Sequence, residues 1–161
     1  MRKLFYMMAA VVALTLAACG GKSAPDLKGT PYEGAKFSMT IPEGLKVTSE
    51  GDIYMNAGDE SGDVRIDATF SDYPCKPDQF ETYCQRLTGL LTNQGAKSVD
   101  KPAIDGNIMI IKATYETYIE DNFVVYFDDK AGIAGKFKYP VDKAEQYKDM
   151  VKSIALSMKK K

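Results

Sequence analysis

Nucleophiles, ligands and proton carriers are few in this sequence, and their spacing narrows what they can do. Its 161 residues contain no histidine and no tryptophan. The first absence removes the commonest general base and the commonest metal ligand together. The second removes the strongest aromatic for stacking and hot-spot contacts. Three cysteines remain, Cys19, Cys75 and Cys84. Eight residues separate Cys75 from Cys84, which fits neither a CxxC redox pair nor a zinc knuckle. If Asp78 caps a helix, Cys84 lies roughly 9 Å along its axis, whereas a disulfide needs Cα atoms within about 7 Å. Two arrangements stay open: a Cys75–Cys84 disulfide made by a loop that doubles back, or a buried free thiol at Cys84 with Cys75 in the loop.

The acids are no better placed for catalysis. Asp59, Ser61 and Asp63 alternate as in a calcium loop, but Gly62 stands in the fourth place instead of the sixth. Phe70 occupies the place of the bidentate glutamate, so the segment reads as a hydrated hairpin loop. Glu120 with Asp121, and Asp128 with Asp129, are sequence neighbours. Neighbours in a strand point to opposite faces, and in a turn both point to water. Neither pair aims two carboxylates at one substrate. Ser153-Ile154-Ala155-Leu156 is not the SxxK of a lysine-activated serine, and no helix start follows Gly132 to Gly135 to receive a phosphate. No metal site and no cofactor is implied. Tyr115, Tyr118, Tyr126 and Tyr139 fall on adjacent expected strands, where they either line a ligand groove or partner surface or cap the core edge with their hydroxyls in water.

The elements that must position these groups follow from periodicity. KFSMTIP sets Phe37, Met39 and Ile41 against Lys36, Ser38 and Thr40, a half-buried strand. LKVTS and DIYMN continue it across turns at Pro42 to Gly44 and Glu50-Gly51. DVRIDATFS alternates Val64, Ile66, Ala68 and Phe70 with polar residues. One face of such a sheet is wet, which favours antiparallel pairing. The period then changes: Phe80, Cys84, Leu87 and Leu91 share one helical face, with Asp78 and Glu81 as an acidic capping box and Gly95 as C-cap. Three strands follow, NIMIIKATYE, NFVVYFDD and GIAGKFKYP, the last two joined by a turn at Asp128 to Ala131. A second helix places Tyr147, Val151, Ile154 and Met158 on one stripe, with Asp142 and Glu145 as its box and lysines at its C-terminal end. Strands, helix, three strands and helix make an α+β domain, an antiparallel sheet packed against two main helices.

The first 18 residues have a charged start at Arg2 and Lys3, an apolar stretch of about 15 residues and a small-residue end, the pattern of a secretory signal. The stretch is short of the roughly 20 residues a membrane helix needs. Leu16-Ala17-Ala18-Cys19 resembles the lipobox of bacterial lipoproteins. That resemblance implies cleavage before Cys19 and a diacylglyceryl group on its sulfur, and acyl chains at about 0.8 kcal/mol per buried methylene make a lasting anchor. Residues 19–31, the lipidated cysteine and a polar stretch broken by Gly, Pro and Ser, then form a flexible tether, and residues 32–161 the single folded domain. Gly20 replaces the aspartate that retains lipoproteins at the inner membrane, which favours the outer membrane or cell surface.

FSMTIPEGLKV, the order of elements and the closing helix YKDMVKSIALSMK, with Ser153 and Ser157, resemble the PsbP-like fold, an α/β sandwich that includes the DcrB-like lipoproteins. The resemblance spans Tyr32 to Lys159, with Leu45 where the family usually has a tryptophan. It implies a non-catalytic accessory or binding domain. The body carries 19 basic against 22 acidic residues, no field to hold a phosphate backbone, so nucleic acid is not an expected partner. The expected partners are the membrane, through lipid at Cys19, and an envelope protein. The alternatives are a small-ligand-binding lipoprotein and, with less in its favour, a histidine-free carboxylate hydrolase.

Overall fold

In a computed structural model, which describes residues 27–161, each segment with period-two alternation is a strand. The leader of residues 1–18, Cys19 and the first part of the tether lie outside the described residues. The strands are β1 (Gly29–Glu33), β2 (Phe37–Pro42), β3 (Lys46–Glu50), β4 (Tyr54–Gly58), β5 (Arg65–Ser71), β6 (Ser98–Val99), β7 (Ala103–Asp105), β8 (Ile108–Thr114), β9 (Tyr118–Asp128), β10 (Ala131–Pro140) and β11 (Lys159–Lys160). The helices are α1 (Phe80–Asn93), α2 (Ala144–Tyr147) and α3 (Met150–Ser157), with 3₁₀ turns at Pro77–Gln79 and Val141–Lys143 before the first two. No helix among the described residues is long and apolar enough to cross a membrane.

All strand pairs are antiparallel. The larger sheet runs β3-β4-β5-β10-β9-β8-β6, with β7 also on β8, and the smaller runs β1-β2-β11. Ile108 on β8 and Phe123 and Val125 on β9 join the main core with Phe37, Met39 and Ile41 of β2 and Val151 and Ile154 of α3. Met109, Ile111 and Val124 face the other way and pack under Phe80, Cys84 and Leu91 of α1. The molecule therefore has three layers: α1, the large sheet, and the small sheet with α2 and α3.

Several local features differ from the sequence reading. β1 takes in Gly29 to Pro31, which had been assigned to the tether; glycine is required at its start, because a Cβ there would collide with the carbonyl oxygen of Ile41. Neither acidic capping box forms. The 3₁₀ turns begin the helices earlier, so the Lys76 N–H donates to the Gln79 side chain at 3.2 Å, and Glu145 pairs with Lys148 at 2.6 Å instead. Gly95 does end α1, at φ +91°.

The last helix breaks into α2 and α3. α2 seats Tyr147 edge-on against Phe137, ring centres 5.6 Å apart, while α3 lays Val151, Ile154 and Ala155 on the core. The closing lysines do not extend the helix. Ser157 donates to Ile154 O at 2.7 Å and accepts the Thr40 N–H at 3.0 Å, and Met158 then turns extended, so Lys159 and Lys160 pair with Ser38 and Phe37 as β11.

Asp121 of β9 points into the main core, fully buried, where Tyr139 donates to its Oδ2 at 2.9 Å and its Oδ1 has no partner. Burial raises its carboxyl to about 6, a rise that the Tyr139 hydrogen bond and Lys112 oppose and Asp100 assists. The folded state thus favours the protonated form. Stability from this site is complete below the ordinary value of 3.8 and is lost as pH rises through about 6. The two-unit difference corresponds to about 3 kcal/mol.

Two outcomes are expected. Denaturant unfolding of wild type between pH 4 and 7 should show stability falling by a few kcal/mol relative to Asp121→Asn, whose own profile lacks that slope; parallel profiles would refute the assignment. Ser157→Ala should lower unfolding free energy by about 1–2 kcal/mol, since it leaves the Thr40 N–H unpaired; an unchanged denaturation midpoint would contradict it.

Candidate functional site

The outer face of the large sheet is only half covered. α1 lies over β8 and the adjoining part of β9, where Phe80 and Cys84 meet Met109 and Val124 and Leu91 meets Ile111 and Ala113. In the adjoining register, Val124 pairs with Ala134 and Ala134 with Thr69, so the row continues onto β10 and β5 beyond the helix as small or polar residues. Ala134 and Thr69 are exposed. Next to the buried stripe, α1 and its entry turn present Gln79, Thr82, Tyr83 and Arg86 at i, i+3, i+4 and i+7.

These residues form one wall of a cleft of about 630 Å³. The β5–α1 connection supplies the other wall through Ser71, Tyr73, Pro74 and Cys75, and Gly132, Ala134 and Val124 the floor. Gly132 is needed here: a Cβ would stand 2.5 Å from the Pro74 side chain and 2.9 Å from Val125 O. Its bareness lets the Pro74 loop lie directly on β10.

Asp78 and Arg86 are the only charged residues in the lining. Neither side chain makes a direct hydrogen bond or close ion pair among the described residues, although Asp78 lies near enough to Lys76 and Cys75 to act on both electrostatically. Burial raises the Cys75 thiol, with Asp78 adding to it, and burial also raises the Tyr83 phenol, with both cysteines adding. Thiol and phenol are therefore neutral at physiological pH. The cleft is an apolar floor with one anion and one cation at its walls.

Cys75 and Cys84 are both free. Cys84 is buried under α1, its thiol donating to the Met109 sulfur at 3.0 Å; Cys75 is half-buried in the cleft wall and packs against the same cluster. Burial also holds the Cys84 thiol above its usual range, so neither sulfur is poised as a thiolate nucleophile.

The four tyrosines do not share a groove. Tyr139 is fully buried on the inner face, spent on Asp121. Tyr115 is buried and stacks on Tyr118, centres 4.4 Å apart, beneath the C-terminal end of α1, and Lys138 Nζ lies 3.8 Å above the Tyr118 ring. Tyr126 sits at the opposite end and donates to Asp129 at 2.8 Å. The strands that carry them are adjacent, but alternation and register send the rings to three places.

The acids behave as alternation requires. Asp121 faces the core, while Glu120 on the other face lies 3.5 Å from Lys136. Asp128 binds Lys160 at 2.7 Å and Asp129 binds Lys76 at 2.8 Å, in separate pairs. Asp59 organises the β4–β5 turn. Burial pushes its carboxyl up, but hydrogen bonds from Val64, Ser61 and Gly62 outweigh this and hold it below the usual range. Among the described residues no group of three His, Cys, Asp or Glu side chains is arranged to hold a metal.

Sequence reasoning missed Tyr73, Asp78, Tyr83 and Arg86 as a set. Their signal is faint: a second helical stripe at 79, 82, 83 and 86, displaced by one residue from the apolar one.

No protein-family model matches the chain, and no curated protein does. Solved structures do. The Ran-binding protein Mog1p of Saccharomyces cerevisiae superposes with a TM-score of 0.58 at 10% identity, over 83% of this chain and 96% of that one. The cyanobacterial PsbP of Synechocystis sp. PCC 6803 gives 0.52 at 12% identity, over 91% and 99%. A protein from Bacteroides thetaiotaomicron gives 0.50 at 10% identity, over 81% of this chain and 49% of its own. Antiparallel sheets packed against helices in this order are the PsbP/Mog1-like α+β fold, and this chain has it.

Proposed function

We propose that this protein is a lipid-anchored domain of the bacterial cell envelope, non-enzymatic, which acts as an accessory or binding module through the cleft beside α1. The observation that carries the reading is the pair Asp78 and Arg86, two charges without a direct side-chain hydrogen bond or close ion pair that flank an apolar floor on a half-covered sheet. The charge of Lys76 acts on Asp78 from the same turn. Solvent-facing apolar floors with a few convergent polar groups are what ligand sites are made of. A carboxylate hydrolase is less well supported, because the cleft gathers a single carboxylate and the neighbouring acids elsewhere are held in separate ion pairs. Mog1p, of the same fold, is a Ran-binding protein, which supports a protein-binding use of such a body. The anchor rests on Leu16-Ala17-Ala18-Cys19, and Gly20 favours the outer membrane or cell surface.

Two measurements test this. Wild-type protein should incorporate an alkyne fatty acid and sediment with membranes, and Cys19→Ala should lose the label; equal labelling of the variant would remove the anchor. A photocrosslinking amino acid at Tyr83 should give envelope adducts that the same probe at Glu43, on an exposed turn, does not. Indistinguishable adduct patterns would remove the cleft from the function.

A further inference from the structure

The charges of the cleft are set apart from one another. Asp78 lies in the 3₁₀ turn before α1 and Arg86 eight residues further on, about 12 Å along the axis. Between them the lining is uncharged, with Pro74, Val124 and Ala134 as apolar surface and Tyr73 and Tyr83 as rings. β10 is bonded on both edges, to β5 and to β9, so the floor has no free edge for strand addition. A ligand must be held by side chains: an anion at one end, a cation at the other, and apolar contact between.

We infer that the cleft binds short zwitterionic peptides of about three or four residues, with their terminal ammonium at Asp78 and their terminal carboxylate at Arg86. This rests on the cleft being the binding element proposed above. Each extended residue spans about 3.3–3.6 Å, so three or four match the rise between the two residues along the axis, which a single amino acid does not span. A guanidinium receives a carboxylate through two parallel hydrogen bonds, and a tyrosine face adjoining the carboxylate end or the ammonium end adds attraction for a cation or stacking area. The peptide's middle side chains replace water over Val124, Ala134 and Pro74. A ligand carrying one charge leaves the opposite protein charge without a partner beside apolar groups, which is the basis of discrimination.

Calorimetric titration of the full-length protein in detergent micelles provides the test, with the peptide Ala-Leu-Ala, its N-acetyl, C-amide and doubly blocked forms, and free alanine. The free tripeptide should bind, each single block should weaken it by up to about fivefold, and alanine should show no heat of binding. Asp78→Asn should abolish the penalty of N-acetylation alone, and Arg86→Gln that of amidation alone. Both side chains are exposed, and unchanged melting temperatures are the control for folding. Equal binding of free and doubly blocked peptide, or no binding of the free form, overturns the inference. If the free form fails while Tyr83 still crosslinks in the envelope, the ligand class falls and the binding function stands.

Discussion

Over Ile108 to Ile111 and Phe123 to Val125, β8 and β9 are apolar on both faces, and the rest of the structure answers to that. Ile108 and Met109, or Phe123 and Val124, are adjacent residues that point opposite ways and are nearly all removed from water. A strand of this kind must be covered twice. On one side the cover is α1, on the other the small sheet with α3. Large buried side chains decide the energetics: losing one such as Phe80 or Phe37 costs about 3–5 kcal/mol. Apart from Lys136–Glu120, whose carboxylate is buried, the ion pairs among the described residues lie at exposed or partly exposed positions, where each contributes about 1 kcal/mol at most. The charges decorate a body that its double-faced strands hold together.

The cleft is the remainder of the same arrangement. α1 has one apolar stripe, wide enough for β8 and part of β9 and no more. β10 and β5 present Ala134 and Thr69 outward, a small and a polar residue that do not require a cover. A step is left where the helix stops and the sheet continues. The groups at that step, Asp78 and Arg86 among them, face solvent because no packing demand consumed them.

Much of the fold was legible because burial leaves a period in the chain. Strands β2, β4, β5, β8, β9 and β10, the apolar stripe of α1 and the cap at Gly95 could be read from alternation and spacing. β6, β7 and β11 were not legible, since two or three residues hold no period, and Lys159-Lys160 reads as a helix end until Ser157 is seen to bind Thr40. The break between α2 and α3 depends on Tyr147 meeting Phe137, a contact across the fold. Which tyrosines meet could not be read, because residue type and strand adjacency do not give register. The cleft depends on where α1 ends over the sheet, which no local pattern encodes; Asp78 and Arg86 look like ordinary solvated charges in sequence.

β2 has a further consequence for how the chain assembles. Its two neighbours come from opposite ends of the described chain, β1 from just before it and β11 from the last residues, and Ser157 closes the gap at Thr40. The hairpin β1–β2 can form early, but its free edge waits for a partner more than 100 residues away. Closing so long a loop has an entropic cost that is repaid only after the intervening sheet exists. The large sheet therefore supplies the template, and the small sheet completes when β11 docks on β2. A chain folded only as far as the large sheet would leave the outer edge of β2 unpaired by β11, and Phe37, Met39 and Ile41 without the part of their cover that α3 supplies, an aggregation-prone intermediate.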